Sequence, residues 1–161
     1  MSSEASSDQE RHEQSGHGPD AVLAERLSYL LKHAQLALSA LSSAALAPYG
    51  IDGRELGTLI VLAGDEPASQ QQAAARLRID RTTMVALLDA LEEKGLVTRR
   101  PHASDRRKNV VELTTSGHET LREATRASDE AERRFLAQLG PSDARQLKQW
   151  LRALISQERG Q

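Results

Sequence analysis

The chain of 161 residues contains no cysteine, so disulfides, thiol nucleophiles, cysteine zinc sites and thiol-based oxidant sensing are excluded. Aromatic residues make up only 2% of it, namely Tyr29, Tyr49, Phe135 and Trp150. Single-stranded nucleic acid is gripped by successive aromatic stacking faces, and this chain can hardly supply them. No apolar run approaches the length of a membrane span, and the opening MSSEASSDQE is acidic and polar, unlike a signal peptide. A cytoplasmic protein with no membrane partner is expected. There is also no Gly-rich phosphate loop, no H-E-x-x-H, and no Ser/His/Asp arrangement on identifiable turns. His102 with Asp105 is the nearest approach to a catalytic pair, and it sits on a charged loop without a pocket. His12 and His17 lie in a polar tail. The chain is therefore expected to be no enzyme and to hold no cofactor or metal.

What is present is charge, unevenly distributed. The formal net charge is −2. Residues 1–20 hold Glu4, Asp8, Glu10, Glu13 and Asp20 against Arg11 alone, which leaves 18 acids and 20 bases for 21–161. The first twenty residues, Ser/Gln/Glu-rich and nearly devoid of apolar side chains, read as a disordered acidic tail. In contrast, RRPHASDRRK (99–108) packs five basic side chains and one carboxylate into ten positions.

Hydrophobic spacing supplies the architecture, with a core of Leu, Ala, Val and Ile. Leu27, Leu31, Ala34, Leu38, Leu41 and Ala45 recur at alternating steps of four and three, a heptad-like seam on one helix over about 21–46. Such a stripe suits either the chain's own core or a second subunit. Asp52 with Glu55 forms a capping box that opens a helix ending near Gly64. Ser69 with Gln72 opens a short one ending near Leu77. Asp80 caps a third, where Ile79 can staple onto Met84, Leu87, Leu88 and Leu91 complete the buried stripe, and Lys94-Gly95-Leu96 is the stop. Two helices joined by about three residues, the second longer, is helix-turn-helix syntax. LVTRR (96–100) and NVVELT (109–114) are β-rich runs that make PHASDRRK the tip of a hairpin. A long helix to about Leu139 follows from a cap within Thr114–Ser116, with Leu121, Ala124, Ser128, Ala131, Phe135 and Leu139 on one face. Gly140-Pro141 then starts a last helix carrying Leu147, Trp150, Leu151, Leu154 and Ile155.

The expected fold is mainly α with a small β-hairpin wing, in one domain over 21–161. Its winged helix-turn-helix spans about 52–114 and is flanked by helices over about 21–47 and 115–158. A recognition helix meets the major groove with its early exposed residues, here Arg81, Thr82, Thr83, Val85 and Ala86. Arg can bond guanine through two donors, Thr hydroxyls reach bases or phosphates, and small apolar side chains suit thymine methyls. Gln70 and Gln71 begin the preceding helix, where amide groups and the dipole favour a phosphate. In the wing, Arg100, Arg106, Arg107 and Lys108 can reach the backbone or a narrow minor groove, and Asp105 can hold Arg107 extended through a charge-assisted bond.

The run DRTTMVALLDALEEKGLVTRRPHASDRRKNVVELTTSG (80–117) resembles the MarR family of bacterial transcription regulators. The specific marks are L-x-x-L-E-x-K-G-L-V-x-R, the D-x-R of Asp105 and Arg107, and L-T-x-x-G after the second strand. The order of elements is similar over about 25–158. The resemblance implies a homodimer built on the N- and C-terminal helices, a palindromic operator in double-stranded DNA, and Arg107 entering the minor groove. Repression relieved by a small aromatic or phenolic acid is implied as well. Arg99 matches a strand arginine that can lie near such an effector, and Tyr29 and His33, one turn apart, can line the same cleft. Val85-Ala86 departs from the Thr-Arg or Ser-Arg pair common in the family, which shifts base readout toward Arg81, Thr82 and Thr83. The alternative is a winged-helix architectural or protein-interaction module that binds DNA without sequence preference.

Overall fold

A computed structural model describes residues 19–64, 69–101 and 109–157. In chain order these form α1 (Pro19–Ala24), α2 (Leu27–Leu46), a 3-10 turn (Ala47–Tyr49), α3 (Gly53–Leu62), α4 (Gln70–Leu77) and α5 (Arg81–Glu93). The strands β1 (Val97–Pro101) and β2 (Asn109–Leu113) follow, then α6 (Thr115–Phe135) and α7 (Pro141–Gln157). The architecture is helical with one antiparallel hairpin, as the sequence predicts. The expected tail over 1–20 lies outside the described residues, except that Pro19 and Asp20 open α1.

The chain forms two compact units, 1–37 and 38–161, and the boundary falls inside α2. In the first unit the single helix expected from about residue 21 is instead two, interrupted at Glu25 and Arg26. The Arg26 amide donates to the Leu23 carbonyl at 3.0 Å, while the Arg26 carbonyl receives the Leu30 amide at 3.0 Å. Val22, Leu23, Leu27 and Leu30 are all largely exposed. Helices draw most of their stability from packing an apolar face, and none of residues 22–37 is buried.

In the second unit each helix starts where its cap dictates. The Asp52 side chain accepts from the Arg54 and Glu55 amides, both at 2.8 Å, and Glu55 returns the favour by accepting from the Asp52 amide at 2.9 Å. Ser69 and Gln72 close the same reciprocal box on α4. Thr114 caps α6, which ends at Phe135 rather than near Leu139; the Leu136–Leu139 segment is a turn. One core unites these elements: Leu46, Ile51, Leu56, Leu59, Leu62, Met84, Leu88, Leu91, Leu96, Val97, Val111 and Ala124 are buried together, with Ile79 packed against them. Ile79, just before the Asp80 cap, thus packs against the cluster that holds Met84, the side of the cap on which the sequence places it.

The strands pair from Val97 opposite Leu113 to Pro101 opposite Asn109. Ser69 adds a single bridge to Val110, so the start of α4 is tied to the wing as well as to its own helix. The three residues after α5 fix where everything beyond it goes. Lys94 reaches back to the buried Glu55, Nζ to Oε1 2.6 Å, and to the Gly50 carbonyl at 2.8 Å. Gly95 takes φ +69°, the left-handed conformation that ends a helix at low cost in glycine. The Gly95 carbonyl accepts the Thr114 hydroxyl at 2.7 Å, and the Leu96 carbonyl accepts the Thr114 amide at 3.0 Å. Gly117 lies so close to this turn that a Cβ there would stand 1.9 Å from the Leu96 carbonyl oxygen. That approach accounts for the glycine of L-T-x-x-G.

Two stability predictions follow from this junction. Gly117→Ala should lower unfolding free energy by at least about 1–3 kcal/mol in urea denaturation, because backbone rather than a flexible side chain must give way; wild-type stability would contradict the contact. Lys94→Met strands the Glu55 carboxylate and should cost about 1–3 kcal/mol, discounted from the fully buried case because Lys94 is 39% exposed. Adding Glu55→Gln to Lys94→Met should recover part of the loss, whereas simple additivity would rule the pair out as a coupled unit.

Candidate nucleic-acid interface

The outward face of α5 is fixed by the inward one. Met84, Leu88 and Leu91 are each fully buried. Helical periodicity then sets Thr82, Ala86, Asp89 and Glu93 on the opposite side, with Arg81 and Val85 along its edge. Arg81, Thr82 and Ala86 are exposed and Val85 is half-buried. Thr83 behaves differently from its neighbours. Its amide donates to Asp80 Oδ1 at 2.9 Å and its hydroxyl to Asp80 Oδ2 at 2.5 Å, so the hydroxyl completes the cap of α5. The Thr83 hydroxyl, followed by its amide, holds the Asp80 carboxyl below the usual carboxylate range. A lowered carboxylate keeps its stabilising bonds above its ordinary pKa and loses them only as pH falls through the lowered value, so the cap is intact at neutral pH.

The turn between α4 and α5 is Arg78–Asp80, with Arg78 at φ +53°, left-handed although it is not glycine. Gln70 and Gln71 occupy the first turn of α4, half-buried and exposed respectively. On the wing, side chains alternate. Val97 and Arg99 face inward toward the core and α5, while Arg100 points out, its Nε 3.7 Å from Glu112 Oε2 and its side chain 69% exposed. Asp105, Arg106, Arg107 and Lys108, together with His102, lie outside the described residues. The pairing of Pro101 with Asn109 nevertheless makes 102–108 the connection between the strands, as the sequence predicts.

Arg99 is engaged on α5. Its guanidinium forms ion pairs with both Asp89 and Glu92 of α5, and its amide donates to Glu92 Oε1 at 3.3 Å. Asp89, and behind it Glu92, push the guanidinium still further up from its already high pKa. The other two effector candidates belong to the first unit, where the Tyr29 and His33 rings stack at a centroid distance of 4.1 Å, tilted by 39°. The second unit contains a cleft of about 540 Å³ that sequence reasoning missed. Ile51, Leu87 and Ala90 supply its apolar lining, with Thr83, Ala86 and charges of both signs, Arg54 and Lys94 beside Asp52 and Glu55. Arg99 does not line it. The cleft arises from residues distant in sequence, around Gly50–Glu55 and along α5, and no local pattern signals it. The Arg99 clamp carried a faint signal: two acids three apart near the end of α5 and one arginine just past the turn.

Comparison with known proteins bears on this geometry directly. A model of the MarR family matches residues 49–108, the whole segment from the 3-10 turn through the wing connection. The transcriptional repressor MprA of Escherichia coli K12 is 31% identical over 132 residues, 81% of this chain and 75% of MprA. A candidate transcriptional regulatory protein for the hcr operon of Thauera aromatica is 30% identical over 102 residues, 63% of this chain but only 61% of that protein. Among solved structures, the transcriptional repressor CouR bound to a 23-mer DNA duplex superposes with a TM-score of 0.80 at 31% identity, covering 87% of this chain and 99% of CouR. CouR from Rhodococcus jostii RHA1 bound to p-coumaroyl-CoA superposes with a TM-score of 0.72 at 27% identity, over 82% and 93% of the two chains. Family match, relatives and fold converge on the helix-turn-helix and hairpin derived above: the chain belongs to the MarR family of winged helix-turn-helix transcription regulators.

Proposed function

We propose that this protein is a homodimeric, sequence-specific binder of double-stranded DNA that represses transcription at a palindromic operator and is released by a small aromatic acid. The observation that carries the reading is the division of α5. One face is wholly committed to the core, and the opposite face presents Arg81, Thr82, Val85 and Ala86 from a capped N-terminus. A recognition helix has this form, its first turns offered to base edges and its remainder used as anchorage. In this reading Arg81 and Thr82 read bases, and Val85 and Ala86 meet thymine methyls. Thr83 holds the cap and contributes to DNA only beyond that duty. Gln70 and Gln71 sit against a phosphate. Arg100, Arg106, Arg107 and Lys108 follow the backbone or minor groove, with Asp105 orienting Arg107.

The dimer follows from unspent apolar surface. Leu27, Leu30 and Leu31 on α2 and Trp150, Leu154 and Ile155 on α7 are 47–66% exposed, and a second copy is the natural cover for such faces in this family. Two recognition helices related by a twofold axis then read half-sites about one helical turn apart, which gives specificity that one module lacks. The effector reading rests on the cleft beside α5, whose lining shares Thr83 and Ala86 with the reading face. Occupation there competes with DNA, and Arg54 offers a positive group to a carboxylate. The structure of CouR from Rhodococcus jostii RHA1 with p-coumaroyl-CoA supports an aromatic acyl compound as the class to try first. Tyr29 and His33, in the first unit, are proposed separately as effector contacts on α2.

The test is fluorescence anisotropy on a duplex from the gene's own upstream region against a scrambled duplex, across salt and a panel of phenolic and other aromatic acids, with mass measured in parallel. Equal affinity for both duplexes would favour a non-specific architectural module. Arg81→Ala should cost about 1–3 kcal/mol and relax preference at one base position; uniform weakening across sequences would make Arg81 a phosphate contact instead. Arg107→Ala should weaken binding and flatten the salt slope by roughly one unit. Asp105→Ala should also weaken binding although it removes a negative charge near DNA, and tighter binding would refute the orienting role.

A further inference from the structure

The reading face of α5 carries an anomaly. Between Asp80 and Lys94 the chain places four carboxylates, Asp80, Asp89, Glu92 and Glu93, against two cations, Arg81 and Lys94. Asp80 is spent on the cap and Lys94 on Glu55. Asp89 follows Thr82 and Ala86 at helical spacing, with its side chain 59% exposed, so a carboxylate stands on the surface proposed to enter a polyanion's groove. Within about 10 Å of phosphates at ordinary salt such a charge is poorly screened and repels.

One side chain answers it. Arg99 comes from β1, on the far side of the turn, and its guanidinium joins Asp89 and Glu92 at once while its amide also donates to Glu92. Only 23% of the Arg99 side chain is exposed, so it lies along the helix rather than reaching into solvent. The neighbouring Arg100 points outward, which makes the division of labour between the two arginines a consequence of strand alternation.

We infer that Arg99 is a positioning residue for DNA binding: it masks the Asp89 and Glu92 carboxylates of the recognition helix and fixes the root of the wing to that helix. The inference rests on the DNA-binding reading above and deepens it. Planar, forked Arg is suited to the task, because it can serve two carboxylates and a strand position together where Lys offers a point charge. Two of the five guanidinium donors of Arg99 are committed to α5 in this way, one to each carboxylate.

A charge-matched series tests this on the full-length protein. Arg99→Ala should weaken binding to the upstream duplex about five- to tenfold near 0.1 M salt, by unmasking charge within a screening length of the phosphates. Adding Asp89→Asn restores the wild-type formal charge at the clamp and should bring affinity back to within about threefold of wild type. Adding Glu123→Gln instead restores the same formal charge from exposed α6 and should not rescue. In urea denaturation without DNA, Asp89→Asn should cost stability in the wild-type background and little in the Arg99→Ala background. Equal rescue by both second changes, or none by Asp89→Asn, overturns the masking role while wild-type binding stands. Additive stability changes overturn the clamp itself. A wild-type protein that binds no duplex overturns the DNA-binding reading and the masking role with it.

Discussion

Three consecutive residues, Lys94, Gly95 and Leu96, decide how the second unit is assembled. Lys94 ties the end of α5 to the buried Glu55 and to the Gly50 carbonyl, and so to the entry of α3. Gly95 reverses the chain in a left-handed conformation and offers its carbonyl to the Thr114 hydroxyl. Leu96 buries its side chain in the core, accepts the Thr114 amide, and leaves its carbonyl oxygen where only a residue without Cβ, Gly117, can approach. Thus α3, α5, the wing and α6 share one small knot of short polar contacts closed over an apolar core. Loosening it would free the wing and the recognition helix to move independently, which a reader of DNA by both cannot afford.

That knot lets α5 be polar on one side without losing its place. Apart from Asp89, which pairs with Arg99, its outward residues contribute little to the fold, and the helix is anchored by Met84, Leu88 and Leu91 together with its cap. The electrostatic side of the arrangement is less obvious. A chain of formal charge −2 can bind DNA only where local positive charge outweighs acids, and the recognition helix is itself acidic. In the proposed reading both remedies come from the segment 99–108, which holds five basic residues, among them an arginine turned back onto the helix.

Much of this was legible in sequence because it is written in local chemistry. Capping boxes at Asp52–Glu55 and Ser69–Gln72 and the cap at Asp80 are short-range bonds between residues three apart, and their donors and acceptors follow from residue type alone. The β-rich runs either side of 101–108 likewise announce a hairpin, while its register came only from the structure. What escaped depends on separation in sequence or on packing that the chain alone does not supply. The Glu55–Lys94 pair bridges 39 positions, and a capping glutamate gives no hint of a second partner. The Ser69–Val110 bridge likewise joins a helix cap to a strand far along the chain. The heptad-like seam Leu27–Ala45 does lie on one unbroken helix, but the expected start near residue 21 does not hold, because the helix is interrupted at Glu25–Arg26, ahead of the seam. Arg99 was assigned by resemblance to an effector site; its pairing with the two acids on α5 lies across the helix stop and was not read from the sequence.

The central claim is that two copies of α5, each braced by its own wing, read one DNA duplex together. Hydroxyl-radical footprinting of the wild-type protein on its upstream region measures this directly. The account predicts two protected patches related by a dyad, their centres about 10 base pairs apart or a multiple of that, with protection extending into the flanking minor grooves where the wings would lie. A single undivided patch, or even protection along the whole fragment, would contradict it.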